Sequence, residues 1–347
     1  MRHRLRPSSA GRSSARRPAR AAAVALVAAS LLLAGCSGSD EPAEPSSDSE
    51  PTAEATEEPP EPSYWPLTGL ERKGKAPQHP VIVTKVDNTS SSAPQVGLGS
   101  ADMVVEELVE GGMTRLAAFY YSKLPSNIGP VRSMRASDIG IVPEDATVVT
   151  SGAAQITLNR INAAKIPYVT EGAPGVYRES SRSAPYNLFA RLDEIAKKAR
   201  TGEEPRPYLD FGTAEDLPRG KKARSLVASF GGHATSWSYA GGKYVNTNSY
   251  AAEGDQFPAT SVLVLRVPVG DAGYRDPAGY PVPETKLEGK GEAILFHGGR
   301  MIRGTWSKDG LRGAIELSTR SGELKVPAGR VWIELVPART GNLTWAK

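Results

Sequence analysis

The sequence predicts an α+β or α/β N-terminal domain followed by a mainly-β C-terminal domain, on three observations. Before residue 215, β-branched runs are interleaved with stretches of helical apolar spacing. From residue 221 onward, short alternating segments succeed one another between glycine turns, with no long helical pattern. Between the two, residues 205–222 are dense in proline, glycine and charge, the composition of a domain boundary.

The first domain is expected over residues 65–215. Residues 81–86 form a β-branched run ending in Asp87-Asn88, a strand entering a turn. Residues 103–109 and 114–121 are two further strands, joined through Gly111-Gly112 as a hairpin or tight bend. Gly129-Pro130 punctuates the next turn, and Ser137 is placed to cap a short helix or begin a loop. Residues 146–150 read as a strand, followed by Gly152 and a helix-compatible stretch to Ala164. The clearest helical pattern spans residues 187–200, where Leu188, Leu192, Ile195 and Ala199 share one face. The second domain, residues 221–347, carries strand segments at 236–239, 261–267, 293–296, 314–317 and 330–336, the spacing of a barrel or sandwich.

The N-terminus predicts an exported, lipid-anchored chain. Residues 1–35 hold seven arginines and no acid, and residues 21–34 are an unbroken apolar or small run ending in Leu33-Ala34-Gly35-Cys36. This is a signal peptide closed by a lipobox, with Cys36 as the lipidation site. The run is shorter than the roughly 20 apolar residues that a spanning helix needs. A diacylglyceryl group on Cys36 would supply two acyl chains, enough for stable anchoring. Residues 37–64 carry nine acids, no bases and repeated proline, an acidic disordered tether within the 36–64 segment. From Trp65 onward, 35 basic residues face 29 acidic ones, so the chain's net charge of +4 misstates the +6 of the exported body. That excess is too mild to indicate nucleic acid, which is not an expected partner. With Cys36 lipidated, no cysteine remains for a disulfide, a thiol nucleophile or a thiolate metal site.

Several phrases repay reading in order: VDN at 86–88, ADMVVEELVEGGMTR at 101–115, IGPVRSMRASD at 128–138, RESSRSAPYNLF at 178–189, GTW at 304–306 and AGRVWIELVP at 328–337. In these the chain resembles the YerB-like family of bacterial lipoproteins, across residues 65–337. The resemblance implies a two-domain lipoprotein of the cell envelope whose molecular function is unassigned. It departs from the family pattern at Tyr186, where a histidine is common, and at Ala240, where an acid is usual.

Arginines on loops and strand ends supply the candidate anion-binding residues: Arg115, Arg132, Arg135, Arg178 and Arg182. Guanidinium groups grip phosphate and carboxylate with paired donors, and neighbouring Gly and Ser leave room for a ligand. The alternative is that these arginines pair with Glu106, Glu107, Glu110 and Asp138 and lock the domain. Asp87, Glu106 and Glu110 are candidate acid or metal-binding residues if the fold brings them together; no metal is assigned. His79, His233 and His297 stand apart from other ligating residues, and Ser151-Gly152 lacks the Gly-x-Ser-x-Gly of a nucleophile turn. Gly97-Leu98-Gly99 has no third glycine opening a helix, and no cofactor is expected. Trp237, Tyr239, Tyr244, Trp306 and Trp332 are expected in the core of a β-domain, with a sugar-stacking face as the alternative.

The function expected is an extracytoplasmic lipoprotein, anchored to the membrane, that binds an anionic wall component, a lipid-linked precursor or a wall-synthesis protein. One alternative is an enzyme acting on phosphoryl-linked cell-wall polymers, with Arg132 and Arg135 holding phosphates and Asp87 or Glu106 binding metal or moving a proton. Another is a structural protein-interaction adaptor whose arginines are internal.

Overall fold

Strands dominate both halves of the chain, and the largest sheet runs through both. The computed structural model describes residues 62–199 and 203–347. The expected signal peptide, Cys36 and residues 37–61 of the expected tether lie outside the described residues, whereas Ser63–Tyr64 at the end of that segment is a strand paired with Glu71–Arg72 rather than disordered chain.

Among the described residues one sheet of twelve strands passes, edge to edge, through Gly322–Glu323, Glu316–Thr319, Arg300–Lys308, Gly289–His297, Ser261–Val267, Val331–Pro337, Met103–Leu108, Thr114–Tyr120, Ile82–Asn88, Thr147–Val149 and Tyr168–Val169, with Lys221–Lys222 beside Arg300–Lys308. Val331–Pro337 is parallel to both of its neighbours, Ser261–Val267 and Met103–Leu108, and is the seam where the N-terminal and C-terminal strands meet. The expected strands at 81–86, 103–109, 114–121 and 146–150 are therefore present, and the first two of the 100s form a hairpin around Glu110–Gly112.

The central strands are buried on both faces, which explains their continuous β-branched runs. Alternation sends Ile82, Val86, Val104, Leu116 and Tyr120 into one core and Val83, Met103, Val105, Ala117 and Phe119 into the other. The first core is closed by a four-stranded sheet, Lys243–Asn246, Ala234–Ala240, Ser225–Ser229 and Asn342–Ala346, through Leu226, Ala228, Trp237 and Tyr244. The second is closed by Met134, by Ile141 of helix α1 (Asp138–Ile141), by Ile161 of helix α2 (Gln155–Ala163), and by Leu209, Leu287 and Ile315.

Two expectations need correction. Residues 187–200 do not form one helix: Leu188–Ala190 is a strand paired with Val176–Arg178, and only Leu192–Ala196 is helical, as α3. Leu188, Phe189 and Ala190 are buried in succession, which a strand between two packed layers permits and one helical face does not. Leu188 and Leu192 satisfy both spacings, so the pairing with residues 176–178 decides. The C-terminal strands do not close on themselves as a barrel or sandwich either, because Val331–Pro337 gives its free edge to Met103–Leu108. With three α-helices among the described residues, the N-terminal half is more strand-rich than expected. No helix of the described residues is long and apolar enough to cross a membrane.

The aromatic residues of the second half belong to the core. Trp237, Tyr244, Trp306 and Trp332 are buried and Tyr239 is half-buried; Trp237 meets Trp332 edge-on at 5.1 Å between ring centroids.

Candidate functional site

Glu106 and Glu107 are adjacent on one strand and therefore face opposite ways, each into a separate polar network. On the face of Glu107, Lys85 Nζ donates to Glu107 Oε1 at 2.6 Å and to Asp138 Oδ1 at 2.7 Å, with all three side chains fully buried. Burial opposes the ammonium, but Asp138 and Glu107 hold the Lys85 pKa above its ordinary value. Burial pushes the Glu107 carboxyl up in spite of Lys85. Removing one member of such a triad strands the others.

Beside this triad lies a group of three arginines. Arg115 stands opposite Asp87 and Glu107 in the strand register, so all three point to the same face. The segment after the Gly129-Pro130 turn runs along the sheet, with Val131 bridged to Val86, and carries Arg132 and Arg135 to the same place. Arg135 forks onto Glu110, with Nε 2.9 Å from Oε2 and Nη2 on Oε1, and donates through Nη1 to Met134 O at 2.8 Å. Its backbone N–H donates to Asp138 Oδ2 at 2.7 Å. Arg115 Nη1 donates to Ser133 O at 2.9 Å, and its Nη2 is 3.9 Å from Glu110 Oε1. Arg132 Nε is 3.4 Å from Asp87 Oδ2, and its guanidinium lies 5.0 Å from the Tyr186 ring centroid.

Three guanidiniums thus share two carboxylates, Asp87 and Glu110. Burial, then the neighbouring Arg135 charge, brings the Arg115 pKa down to about 10, with Glu110 opposing and Arg132 reinforcing. Burial works against the Glu110 carboxylate, but Arg135 and Arg115 hold it below its ordinary value. Two guanidinium nitrogens, Arg115 Nε and Arg132 Nη1, are buried without a hydrogen-bond partner among the described residues. An orphaned buried donor costs about 1–3 kcal/mol, more when charged, unless something outside the chain accepts from it.

The other predicted residues are placed elsewhere. Arg178 is exposed and forks onto Glu171 at 2.5 Å and 2.5 Å, with Asn187 Oδ1 at 2.6 Å. Arg182 donates to Ser92 O and Pro94 O and stacks over Phe189; it secures the loop after Asp87 rather than joining the cluster. Glu106 is on the opposite face, where it accepts from Asn88 Nδ2 at 3.1 Å and Thr235 Oγ1 at 2.9 Å, with His233 Nε2 at 3.4 Å. Asp87, Glu106 and Glu110 therefore do not converge, because pleat alternation separates Glu106 from Asp87. Of the acids offered as arginine partners, Glu110 takes Arg135 and Arg115; Asp138 receives the backbone of Arg135 and the ammonium of Lys85. Among the described residues no three His, Cys, Asp or Glu gather as metal ligands.

Sequence reasoning missed Lys85 and Glu334. Lys85 interrupts the run Ile82-Val83-Thr84-Lys85-Val86, and a charge inside an otherwise apolar strand was the available signal. Glu334 sits likewise in Val331–Pro337, in register with Glu106 across the seam, and its Oε1 accepts from Trp237 Nε1 at 2.8 Å. Burial, then the Glu106 charge, pushes the Glu334 carboxyl well above its ordinary value.

The histidines are local braces. His79 Nδ1 lies 2.9 Å from Pro80 O, and His297 Nδ1 lies 2.9 Å from the Ser261 hydroxyl. A groove of about 380 Å³, lined by Val142, Asp145, Lys165, Tyr208 and Leu311, lies away from the arginines. Its charged lining mixes both signs, with Glu144, Asp145 and Glu204 beside Lys165, Lys308 and Arg312, and the cluster of three guanidiniums is the better candidate for an anion.

The comparisons with known proteins agree with this architecture. The N-terminal domain of a family described as a protein of unknown function, DUF3048, matches residues 67–204, and its C-terminal domain matches residues 226–333. A Bacillus subtilis (strain 168) protein whose name describes it as a lipoprotein, YerB, is 25% identical over 288 residues, 78% of this chain and 86% of that protein. The crystal structure of YerB from Bacillus subtilis shares the fold with a TM-score of 0.69 at 22% identity, over 81% of this chain and 99% of that one. With both domains present in order and a common fold, the chain belongs to the two-domain DUF3048 family and is a homologue of YerB.

Proposed function

We propose that the chain is a lipid-anchored extracytoplasmic protein that binds an anionic component of the cell envelope at Arg115, Arg132 and Arg135. The observation that carries this reading is the shortage of acceptors around the guanidiniums: three of them share Asp87 and Glu110, and two of their buried nitrogens have no partner among the described residues. A phosphate or carboxylate ligand supplies the missing acceptors in a site already shielded from water, where charge-assisted hydrogen bonds are strongest. The lipobox at Cys36 and the lipoprotein name of the homologue support the envelope address. The +6 charge of the body adds a mild attraction for anions.

Thermal stability of the protein against inorganic phosphate, pyrophosphate, anionic wall polymers and lipid-linked precursors tests the reading. A ligand at 100 times its Kd stabilises by about 2.7 kcal/mol. The expected result is a shift in the parent that disappears in a folded Arg132→Ala/Arg135→Ala variant. An unchanged ligand response in that variant would make the arginines purely internal.

A further inference from the structure

Next to the arginines, two exposed or half-exposed serines hold each other: Ser133 Oγ lies 3.2 Å from Ser151 Oγ, and neither side chain has another hydrogen-bond partner among the described residues. Their spacing is built in by the backbone. Ser151 N donates to Arg132 O at 3.1 Å, Met134 N donates to Gly152 O at 2.9 Å, and Arg115 Nη1 donates to Ser133 O. The buried Thr150 hydroxyl fastens the same two segments, donating to Arg132 O at 3.0 Å or to Gly152 O at 2.9 Å and accepting from Met134 N and Gly152 N at 3.1 Å. Access is open beside them: Gly152 has φ +104°, and a Cβ there would meet nothing within 4 Å.

The two zones are chemically complementary. Guanidiniums only donate, whereas a pair of bonded hydroxyls keeps one free hydrogen and most of its acceptor lone pairs. A bare anion satisfies the arginines and leaves the serine acceptors idle. A ligand carrying both anionic oxygens and hydroxyl donors satisfies both.

We infer that the Ser133–Ser151 pair makes the arginine cluster selective for a polyol phosphate, a phosphate ester whose carbon skeleton bears free hydroxyls. This rests on the anion-binding reading above. The phosphoryl oxygens meet Arg115 and Arg132, and the ester's hydroxyls donate to the two serines. The same chemistry occurs in a poly(glycerol phosphate) chain and in a glycerophosphoglycerol lipid headgroup.

The test is calorimetric titration of the full-length protein in detergent with inorganic phosphate, glycerophosphoglycerol and poly(glycerol phosphate) oligomers. The parent is compared with Ser133→Ala/Ser151→Ala and with Arg132→Ala. The serine variant is expected to lose about tenfold in affinity for the glycerol phosphates and to bind inorganic phosphate within about twofold of the parent. Affinity rising with oligomer length assigns a polymer source, and saturation at a single diester assigns the headgroup. Equal effects on phosphate and glycerol phosphates, or none on either, would overturn the selectivity while leaving the arginine site standing. Loss of no ligand in Arg132→Ala, or absence of binding by every probe, would overturn the anion-binding reading itself.

Discussion

The two faces of the strand Met103–Leu108 carry the same chemistry to opposite ends. On one, Glu107 meets Lys85 within a charged array that leads to Arg115, Arg132 and Arg135 and leaves guanidinium donors unmatched. On the other, Glu106 meets Asn88, Thr235 and His233 and faces Glu334 across the seam between the halves, beneath the four-stranded sheet. One face sets four cations against four carboxylates, with three of the cations guanidiniums gathered on Asp87 and Glu110; the other holds two carboxyl groups and, among the described residues, no Lys or Arg bonded to either. The first is the face on which anion binding is proposed, and on the second burial and the Glu106 charge push the Glu334 carboxyl well above its ordinary value.

The largest expected effect breaks the first face. Lys85→Met removes the sole cation bonded to Glu107 and Asp138 in a fully buried site, and a loss of about 3–5 kcal/mol is expected. Urea denaturation midpoints read it, and a loss below about 1 kcal/mol would show that Lys85 is not what holds the buried carboxyls in place. Gly112→Ala strikes where the turns of the two halves touch. Gly112 has φ +73°, and an added Cβ would lie 2.7 Å from Gly232 N. About 1–3 kcal/mol of destabilisation is expected from the left-handed backbone and the clash together. The same denaturation experiment checks it, and a neutral substitution would mean the two turns part freely.

A pH series sharpens the contrast, because Glu110 on the first face and Glu334 on the second have pKa values shifted in opposite directions. Glu334 has its folded pKa raised, so its contribution is complete below the ordinary carboxyl range and is lost as pH rises through the folded value. The parent should lose up to about 1.4 kcal/mol per pH unit across that window, and Glu334→Gln should flatten the decline. Glu110 has its folded pKa lowered, so its contribution is present above the ordinary value and lost as pH falls. Glu110→Gln should therefore flatten the acid limb only. Denaturation midpoints at intervals from pH 3 to pH 9 separate the two, and flattening of the same limb by both variants would refute the opposite shifts of Glu110 and Glu334.

Much of the architecture was legible because it is local. The β-branched runs around residues 82–88, 103–108 and 114–120 marked strands, and Gly111-Gly112 marked their hairpin. The arginines of IGPVRSMRASD were recognisable as a candidate cluster, since loop-borne guanidiniums beside small residues suit anions. Residues 188–190 were misread because Leu188 and Leu192 fit a helical face as well as a strand followed by a turn, and only the partner at 176–178 distinguishes them.

By itself, the sequence determined the expectation of an export signal and lipobox, the strand-rich character of both halves and the chemical identity of the site's charged groups. Tertiary structure alone decided that Val331–Pro337 joins Met103–Leu108, that Glu106 and Glu107 serve different networks, and that Asp87 rather than Glu106 meets Arg132. The reason is physical. Propensity and periodicity act over a few neighbouring residues, whereas strand partner and register are set by burial across the whole sheet, and a shift of one residue would exchange every pair of faces.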